Sequence, residues 1–441
     1  MRGKSNNRFK LTAKEKGWIL YDVGNSAFVL MVSTILPIYF NYLAENAGIS
    51  DVDYLAYWGY AASIVTLIVA VLGPVLGTLA DTKGFKKPIF TGCVVAGCLS
   101  CIAMGVTSWW ISFLVVFIIA KVCFSSSLVF YDSMLSDVTT DERMDIVSSN
   151  GYAYGYAGSC IPFLISLIFV LGYNKLGISL NAAMLISFVI VAVWWFLMTV
   201  PLIKHYKQIN YVERKPHAVK ESFVRIKDTL CGVVNQKKIF LFLVAFFFYI
   251  DGVYTIIDMA TAYGSALGLN STGLLLALLV TQLVAFPFAI IFGRLASKYS
   301  TGRLITACII AYIGITVFAV FMKSQWQFWV LAIFVGMFQG GIQALSRSYF
   351  AKITPAERSG EYFGLMVYAE KVLVLGTLVV GAASQIFGSI NIGVSMIVLL
   401  FTAGLVLFIM TDKLDSKEAD LDIENGMIAN NSFAEGKAVN N

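Results

Sequence analysis

Twelve long apolar stretches run through the chain, near residues 17–44, 55–80, 88–107, 109–134, 147–172, 178–202, 239–264, 271–297, 302–322, 326–350, 361–387 and 391–411. Each approaches the roughly 20 apolar residues a helix needs to cross the hydrocarbon core of a bilayer. Runs such as LLLALLV at 274–280 lack the alternation that a strand of a membrane-spanning barrel carries. Inside lipid every backbone N–H and C=O has to be satisfied within the protein, so an open sheet is excluded and helices remain. The predicted fold is therefore an all-α membrane protein with twelve transmembrane helices. Composition agrees: 58% of the residues are hydrophobic and 13% charged, about half the charge of an ordinary soluble domain.

Orientation follows from the basic residues, because short cytoplasmic loops carry an excess of Lys and Arg. The N-terminal arm holds Arg2, Lys4, Arg8, Lys10, Lys14 and Lys16, and the spacer 203–238 holds nine more from Lys204 to Lys238. With twelve alternating helices Lys83, Lys86, Lys87, Lys298, Arg303, Lys352 and Arg358 fall on the same side, and Lys175 and Lys323 on the other. Both termini are expected in the cytoplasm, and the formal net charge of +6 follows from this topology without any nucleic-acid partner. The apolar run after the arm is too long for the h-region of a signal peptide, so a retained first helix is expected. The expected domains are a basic arm (1–16), a six-helix bundle (17–202), a basic spacer (203–238), a second six-helix bundle (239–411) and a disordered cytoplasmic tail (412–441). Within the spacer, 216–235 suits a surface helix on anionic lipid.

The two bundles repeat each other. GTLA at 77–80 is answered by GRLA at 293–296, a shift of 216, and DER at 141–143 by AER at 356–358, a shift of 215. YDVGNSAF at 21–28 and YIDGVYTI at 249–256 are looser partners. Repeated bundles of this kind predict a secondary transporter whose solute site lies between the halves.

GTLADTKGFKK at 77–87 resembles the loop between helices 2 and 3 of the major facilitator superfamily. The resemblance implies a conformational latch in which Gly77, Asp81, Gly84, Lys86 and Lys87 hold the family's roles, with the aspartate capping across the cytoplasmic helix ends. The second copy departs from it: Ser297 replaces the acid and Gly302 comes two residues late, so the stronger latch is expected in the first half. GWILYDVGNSAF (17–28), VFYDSMLSDV (129–138), YIDGVYTIID (249–258) and QGGIQALSRSYFAKITPAERSGEYFG (339–364) are similar to a narrower branch. That branch includes fungal vacuolar amino-acid effluxers linked to autophagy and bacterial relatives. Asp132 stands where the resemblance leads one to expect a neutral amide. The resemblance implies a solute-moving protein, with amino acids as the first substrate class to consider.

A charge at the bilayer centre costs about 2.5–3.5 kcal/mol on insertion scales, so it faces a cavity or a partner. Lys121 lies mid-way along helix 4 in FIIAKVCF (117–124), and Asp251 near mid-depth on helix 7; each suits either an ion pair between helices or a substrate or coupling site. Glu370 and Lys371 are neighbours, about 100° apart on a helix, so at least one seeks a partner elsewhere. Lys121 is a candidate for Glu370, and Asp251 or Asp22 for Lys371. Lys371 also matches a lysine of the resembled branch. Asp132 and Arg347, 215 residues apart, occupy equivalent positions at the cytoplasmic ends of helices 4 and 10. They are expected either to meet across the halves or to pair each within its own. Gln339 and Gln343, one turn apart, are candidates for hydrogen bonds to a solute. Cys98 and Cys101 in helix 3 suit packing better than redox chemistry. Gly151, Gly155 and Gly158 permit close helix approach, with Tyr152, Tyr154 and Tyr156 between them. Ser125, Ser126 and Ser127 are expected to bond their own helix.

The sequence carries no GxxxxGK[ST] loop, no GxSxG and no HExxH, and its two histidines, His205 and His217, lie in the spacer. No enzyme activity, metal or cofactor is expected. A coupled proton would have to be carried by carboxylates, Asp251 first and Asp22 second. The reading is a secondary transporter of a small polar or zwitterionic, amino-acid-like solute, proton-coupled and directed to efflux. Its expected partners are the solute, protons and the lipid bilayer, with the chain acting as a monomer in the cell membrane, or in a vacuolar membrane for a fungal chain. A drug or metabolite exporter and a receptor or scaffold that moves nothing remain the alternatives.

Overall fold

The computed structural model describes residues 10–213, 232–372 and 375–414. The first half consists of α1 (Ala13–Asn46), α2 (Asp51–Asp81), α3 (Lys86–Val106), α4 (Trp110–Ser133), α5 (Asp141–Gly172) and α6 (Leu180–His205). The second has α7 (Lys237–Ala266), α8 (Ser271–Leu295), α9 (Thr301–Val320), α10 (Gln325–Ile353), α11 (Ser359–Val372), α12 (Leu375–Phe387) and α13 (Ile390–Leu414). Among the described residues eleven helices are long and apolar enough to span a membrane, and α11 and α12, on either side of residues 373–374, make up the twelfth crossing. The expected helices are present. α5 starts at Asp141 rather than near 147, because Asp141 and Glu142 sit well in the positive first turn of a helix. The spacer segment 216–231 lies outside the described residues.

Helix ends are closed by their own sequence. Thr12 and Glu15 form a reciprocal capping box on α1, and Ser50, Ser179, Asn270 and Ser300 cap α2, α6, α8 and α9. Glu15 also takes Arg143 of α5 at 2.7 Å, tying the first turn of α1 to that of α5. Along the same pair Gly151 brings α5 onto α1, since a Cβ there would lie 2.7 Å from Asp22 Oδ2. Cys98 and Cys101 are buried, unpaired thiols in the packing of α3. Ser127 donates to the Phe124 carbonyl in its own helix, at 2.6 Å.

Between the halves, α2 lies along α11, and α5 packs on α8 and α10. The hydrogen bonds that cross this interface run from the helix ends bearing the basic loops, here the basic end, to mid-depth, where Tyr156 OH donates to Gln343 Oε1 at 2.6 Å. The tightest approach is at Gly77 and Gly360, where a Cβ on Gly77 would lie 2.2 Å from the Gly360 carbonyl oxygen. The basic end is therefore closed by backbone on backbone.

Candidate functional site

Above this seal lies a cavity of about 50 Å³ between the halves. Asp132 of α4 and Tyr152 of α5 line it from one side; Ile250 and Tyr254 of α7, Gln343 and Arg347 of α10 and Glu370 of α11 from the other. At roughly 10–15 Å³ per water it has room for a few waters, the size expected of a polar site that has closed around itself.

Arg347 organises the floor. Its Nη1 donates to Asp132 Oδ1 at 3.2 Å, its Nη2 to Asp22 Oδ2 at 3.4 Å and to the Ser148 carbonyl at 3.1 Å, and its Nε to Ser148 Oγ at 3.0 Å. The guanidinium carbon is 4.5 Å from the ring of Trp18 and 4.3 Å from that of Tyr152, distances at which an aromatic face attracts a cation. Trp18 is fixed in turn by stacking on Tyr131 and by donating to the Tyr131 carbonyl at 2.9 Å. A planar five-donor fork suits two carboxylates and a carbonyl at once, as an ammonium would not. Arg347 is 4% exposed and Asp22 6%, so this pair lies largely away from water, with half-buried Asp132 beside it in the cavity lining.

The other expected site residues spread more widely. Lys121 is half-buried in the middle of α4 with its ammonium 5.0 Å from the Phe124 ring centroid, and the cavity lining does not include it. Asp251 is buried on α7 and accepts the Gly376 N–H at 2.6 Å, placing its carboxylate against α12. Glu370 lines the cavity; the Lys371 side chain lies outside the described residues. Gln343 lines it too, while Gln339, 5% exposed, has a carbonyl oxygen without a hydrogen-bond partner among the described residues. Such an acceptor costs about 1–3 kcal/mol until a donor reaches it.

The latch loop closes the floor from below. Asp81 is fully buried at the end of α2, and its two oxygens accept the Gly360 N–H at 2.7 Å and the Glu361 N–H at 2.8 Å, capping α11 from the opposite half. Gly84 holds φ at +79°, a left-handed turn that a side chain would strain. Lys86 is buried and reaches the Ser133 carbonyl at 3.3 Å, Asp137 at 3.5 Å and Ser359 Oγ at 3.5 Å; Lys87 is half-buried on the first turn of α3.

Three things the sequence reading missed complete the site: the Trp18–Tyr152 cage, the Ser148 carbonyl and the strap 206–213. The strap crosses the latch loop. Tyr206 OH donates to Asp137 Oδ2 at 2.5 Å, the Ile209 and Asn210 N–H groups to Asp137 Oδ1 at 3.1 and 2.8 Å, and Val212 N–H to the Asp81 carbonyl at 2.7 Å. Burial and the adjacent Asp137 push the Tyr206 phenol well above its ordinary value. Nothing in the spacer's composition signals this docking, because its polar partners are scattered along the first half.

Residues 12–420 match the sequence profile of a family described as "Vacuole effluxer Atg22 like". The chain is 41% identical over 404 residues to an MFS-type transporter of Bacillus subtilis, YxiO, covering 90% of this chain and 94% of that one. It is 23% identical to autophagy-related protein 22 of Saccharomyces cerevisiae, covering 83% of this chain and 85% of that one. Among solved structures the human organic anion transporter MFSD10 superposes with a TM-score of 0.66 at 12% identity, over 90% of this chain and all of that one. The transporter FucP in its outward conformation gives 0.67 at 14% identity, over 90% and 97%. These likenesses establish the twelve-helix major facilitator fold in two six-helix halves.

Proposed function

The chain belongs to the vacuole effluxer Atg22-like family of the major facilitator superfamily, and we propose that it carries a small zwitterionic, amino-acid-like solute across the membrane by alternating access. The observation that carries the proposal is the Asp22–Arg347–Asp132 cluster at the floor of the cavity. It offers both signs of charge to a solute bearing an ammonium and a carboxylate. Glu370 and the open acceptor of Gln339 are suited to the ammonium, and Tyr152 and Tyr254 to the apolar part of the solute. The family's description as vacuole effluxer-like supports an efflux role, and the charge asymmetry of the loops supports a cytoplasmic position for the basic end and both termini. The described state then has its cytoplasmic side closed. Proton coupling is assigned to the acids that share Arg347, since protonating one of them releases a guanidinium N–H for the solute. Lys121, Asp251 and Lys371 are further coupling candidates.

The test is uptake and counterflow of a labelled amino-acid panel in proteoliposomes, with and without an imposed proton gradient, for the wild type, Arg347→Lys and Lys121→Ala. One solute should move, respond to the gradient and be lost in Arg347→Lys. A folded, inserted protein that moves nothing in the panel overturns the amino-acid assignment, and binding without counterflow supports the receptor alternative.

A further inference from the structure

Asp145 of α5 is 6% exposed and stands at the other contact between the halves. Ser348 Oγ of α10 donates to its Oδ1 at 2.6 Å, and Thr301 Oγ1 of α9 donates to its Oδ2 at 2.9 Å. Lys352 of α10 donates to the same Oδ2 at 2.5 Å and reaches Thr301 Oγ1 at 3.4 Å. All three partners belong to the second half. Beside this cluster α8 touches α5 at Gly293, where a Cβ would lie 2.6 Å from Ser149 Cβ.

The internal repeat maps this cluster onto the latch of the first half, position by position. Ser133 corresponds to Ser348, Asp137 to Lys352, Lys86 to Thr301 and Gly360 to Asp145, each pair 215 residues apart, while Asp81 corresponds to Ser297 and Gly77 to Gly293 at 216. The chemistry is inverted at these positions. In the first latch the acid that crosses the interface sits at the end of α2 and takes backbone N–H groups from the opposing helix. In the second that acid has become Ser297, and the opposing helix supplies the carboxylate instead. The acid at 137 has become the cation at 352 that receives it.

We infer that Asp145 and Lys352, with Thr301 and Ser348, form a second gate of the transport cycle, made and broken with the first but closed by opposite charges across the interface. The two gates then differ in what opening leaves behind. At the first, Asp81 gives up two backbone N–H groups, and Lys86 keeps Ser133 and Asp137 within its own half. At the second, opening leaves a carboxylate on one half and an ammonium on the other, each to be taken up by water. The second gate is therefore the one sensitive to salt and to charge exchange. It also explains how the second copy of the loop does without its acid, where sequence alone placed the stronger latch in the first half.

The inference rests on the alternating-access reading, and its test needs no solute. Ser149→Cys places a reporter thiol, 1% exposed in the native chain, next to the gate. Its labelling by a bulky maleimide is followed in nanodiscs, with the chain that retains Ser149 setting the background from the native cysteines. Asp145→Lys and Lys352→Asp should each speed labelling roughly tenfold, and the two together should return it to the rate of the parent. Equal speed in the double exchange and the single ones, or no change in the singles, overturns the gate. If the reversals fail to fold, Asp145→Asn decides: it keeps the side-chain shape and must also label faster. An unchanged rate there overturns the gate as well. A transport panel without any moving solute would strike the solute assignment and leave this labelling pattern intact.

Discussion

Arg347 and Asp132 occupy equivalent positions in the two repeats, 215 residues apart, and they meet face to face, Nη1 to Oδ1 at 3.2 Å. Asp22 is the third member, bound to the other arm of the same guanidinium at 3.4 Å, and it changes what a charge exchange at the pair will do. Asp132→Arg with Arg347→Asp leaves Asp22 beside a new carboxylate, so transport is expected to stay lost in the double exchange. Adding Asp22→Asn removes that repulsion and should restore part of the thermal stability, read as Tm in detergent.

Arg347→Ala removes the base from between buried Asp22 and half-buried Asp132. Breaking a buried pair by deleting one partner costs about 3–5 kcal/mol. The expected outcome is abolished transport and a Tm lowered by many degrees. Stability should return in part when Asp22→Asn and Asp132→Asn accompany the change.

Gly77→Ala puts a methyl group 2.2 Å from the carbonyl oxygen of Gly360, which is backbone and cannot swing away. The basic end should then fail to close, and solute counterflow should fall at least tenfold while the protein remains folded. Labelling of a thiol at position 149 from the basic end should rise in parallel. Normal counterflow in Gly77→Ala would sink the view that this contact closes the gate.

Gly151→Ala tests the floor itself. Its Cβ would lie 2.7 Å from Asp22 Oδ2, 3.0 Å from the Trp18 ring and 3.1 Å from Arg347 Nη2. Overpacking of this kind costs about 1–3 kcal/mol. A lower Tm together with lost solute binding is expected. A normal Tm with normal binding would show that the cluster tolerates displacement.

Tyr206 lies outside the spanning helices, so its ionisation is a solution property of the strap. Its folded-state value is raised by burial and by Asp137. The stability it contributes is present below the phenol's unfolded value of about 10 and is lost as the pH rises beyond it. Tyr206→Phe should therefore be less stable than the wild type near pH 7, by about 0.5–1.5 kcal/mol for one hydrogen bond. It should also lose less stability between neutral and strongly alkaline pH.

Much of the fold was legible because lipid allows a chain few choices: the apolar runs set the helices, and the repeat set the two halves. The latch residues were legible because the loop is local, with Asp81, Gly84 and Lys86 within six positions of one another. The floor was half legible. The shift of 215 paired Asp132 with Arg347, but no spacing connects Asp22 to Arg347, 325 residues away, since that contact depends on how α1 and α10 cross. Asp251 reads from sequence either as an ion-pair partner or as a substrate or coupling acid, and its carboxylate accepts the Gly376 N–H of α12; helix rotation decides this contact, and twelve uniformly apolar helices do not betray theirs. The inverted gate was written in the same repeat, at 133/348 and 137/352, and became visible only when the partners across the interface were known.

Among the described residues, the hydrogen-bond and ring partners of Arg347, from Trp18 and Asp22 through Asp132, Ser148 and Tyr152, come from the first six helices, although Arg347 itself is carried by the tenth. During synthesis the first half is therefore complete with Asp22 and Asp132 lacking this guanidinium, which follows the end of α6 by about 140 residues. Maturation has an order built into it: until α10 arrives, the newborn chain carries these two acids without the base that joins them.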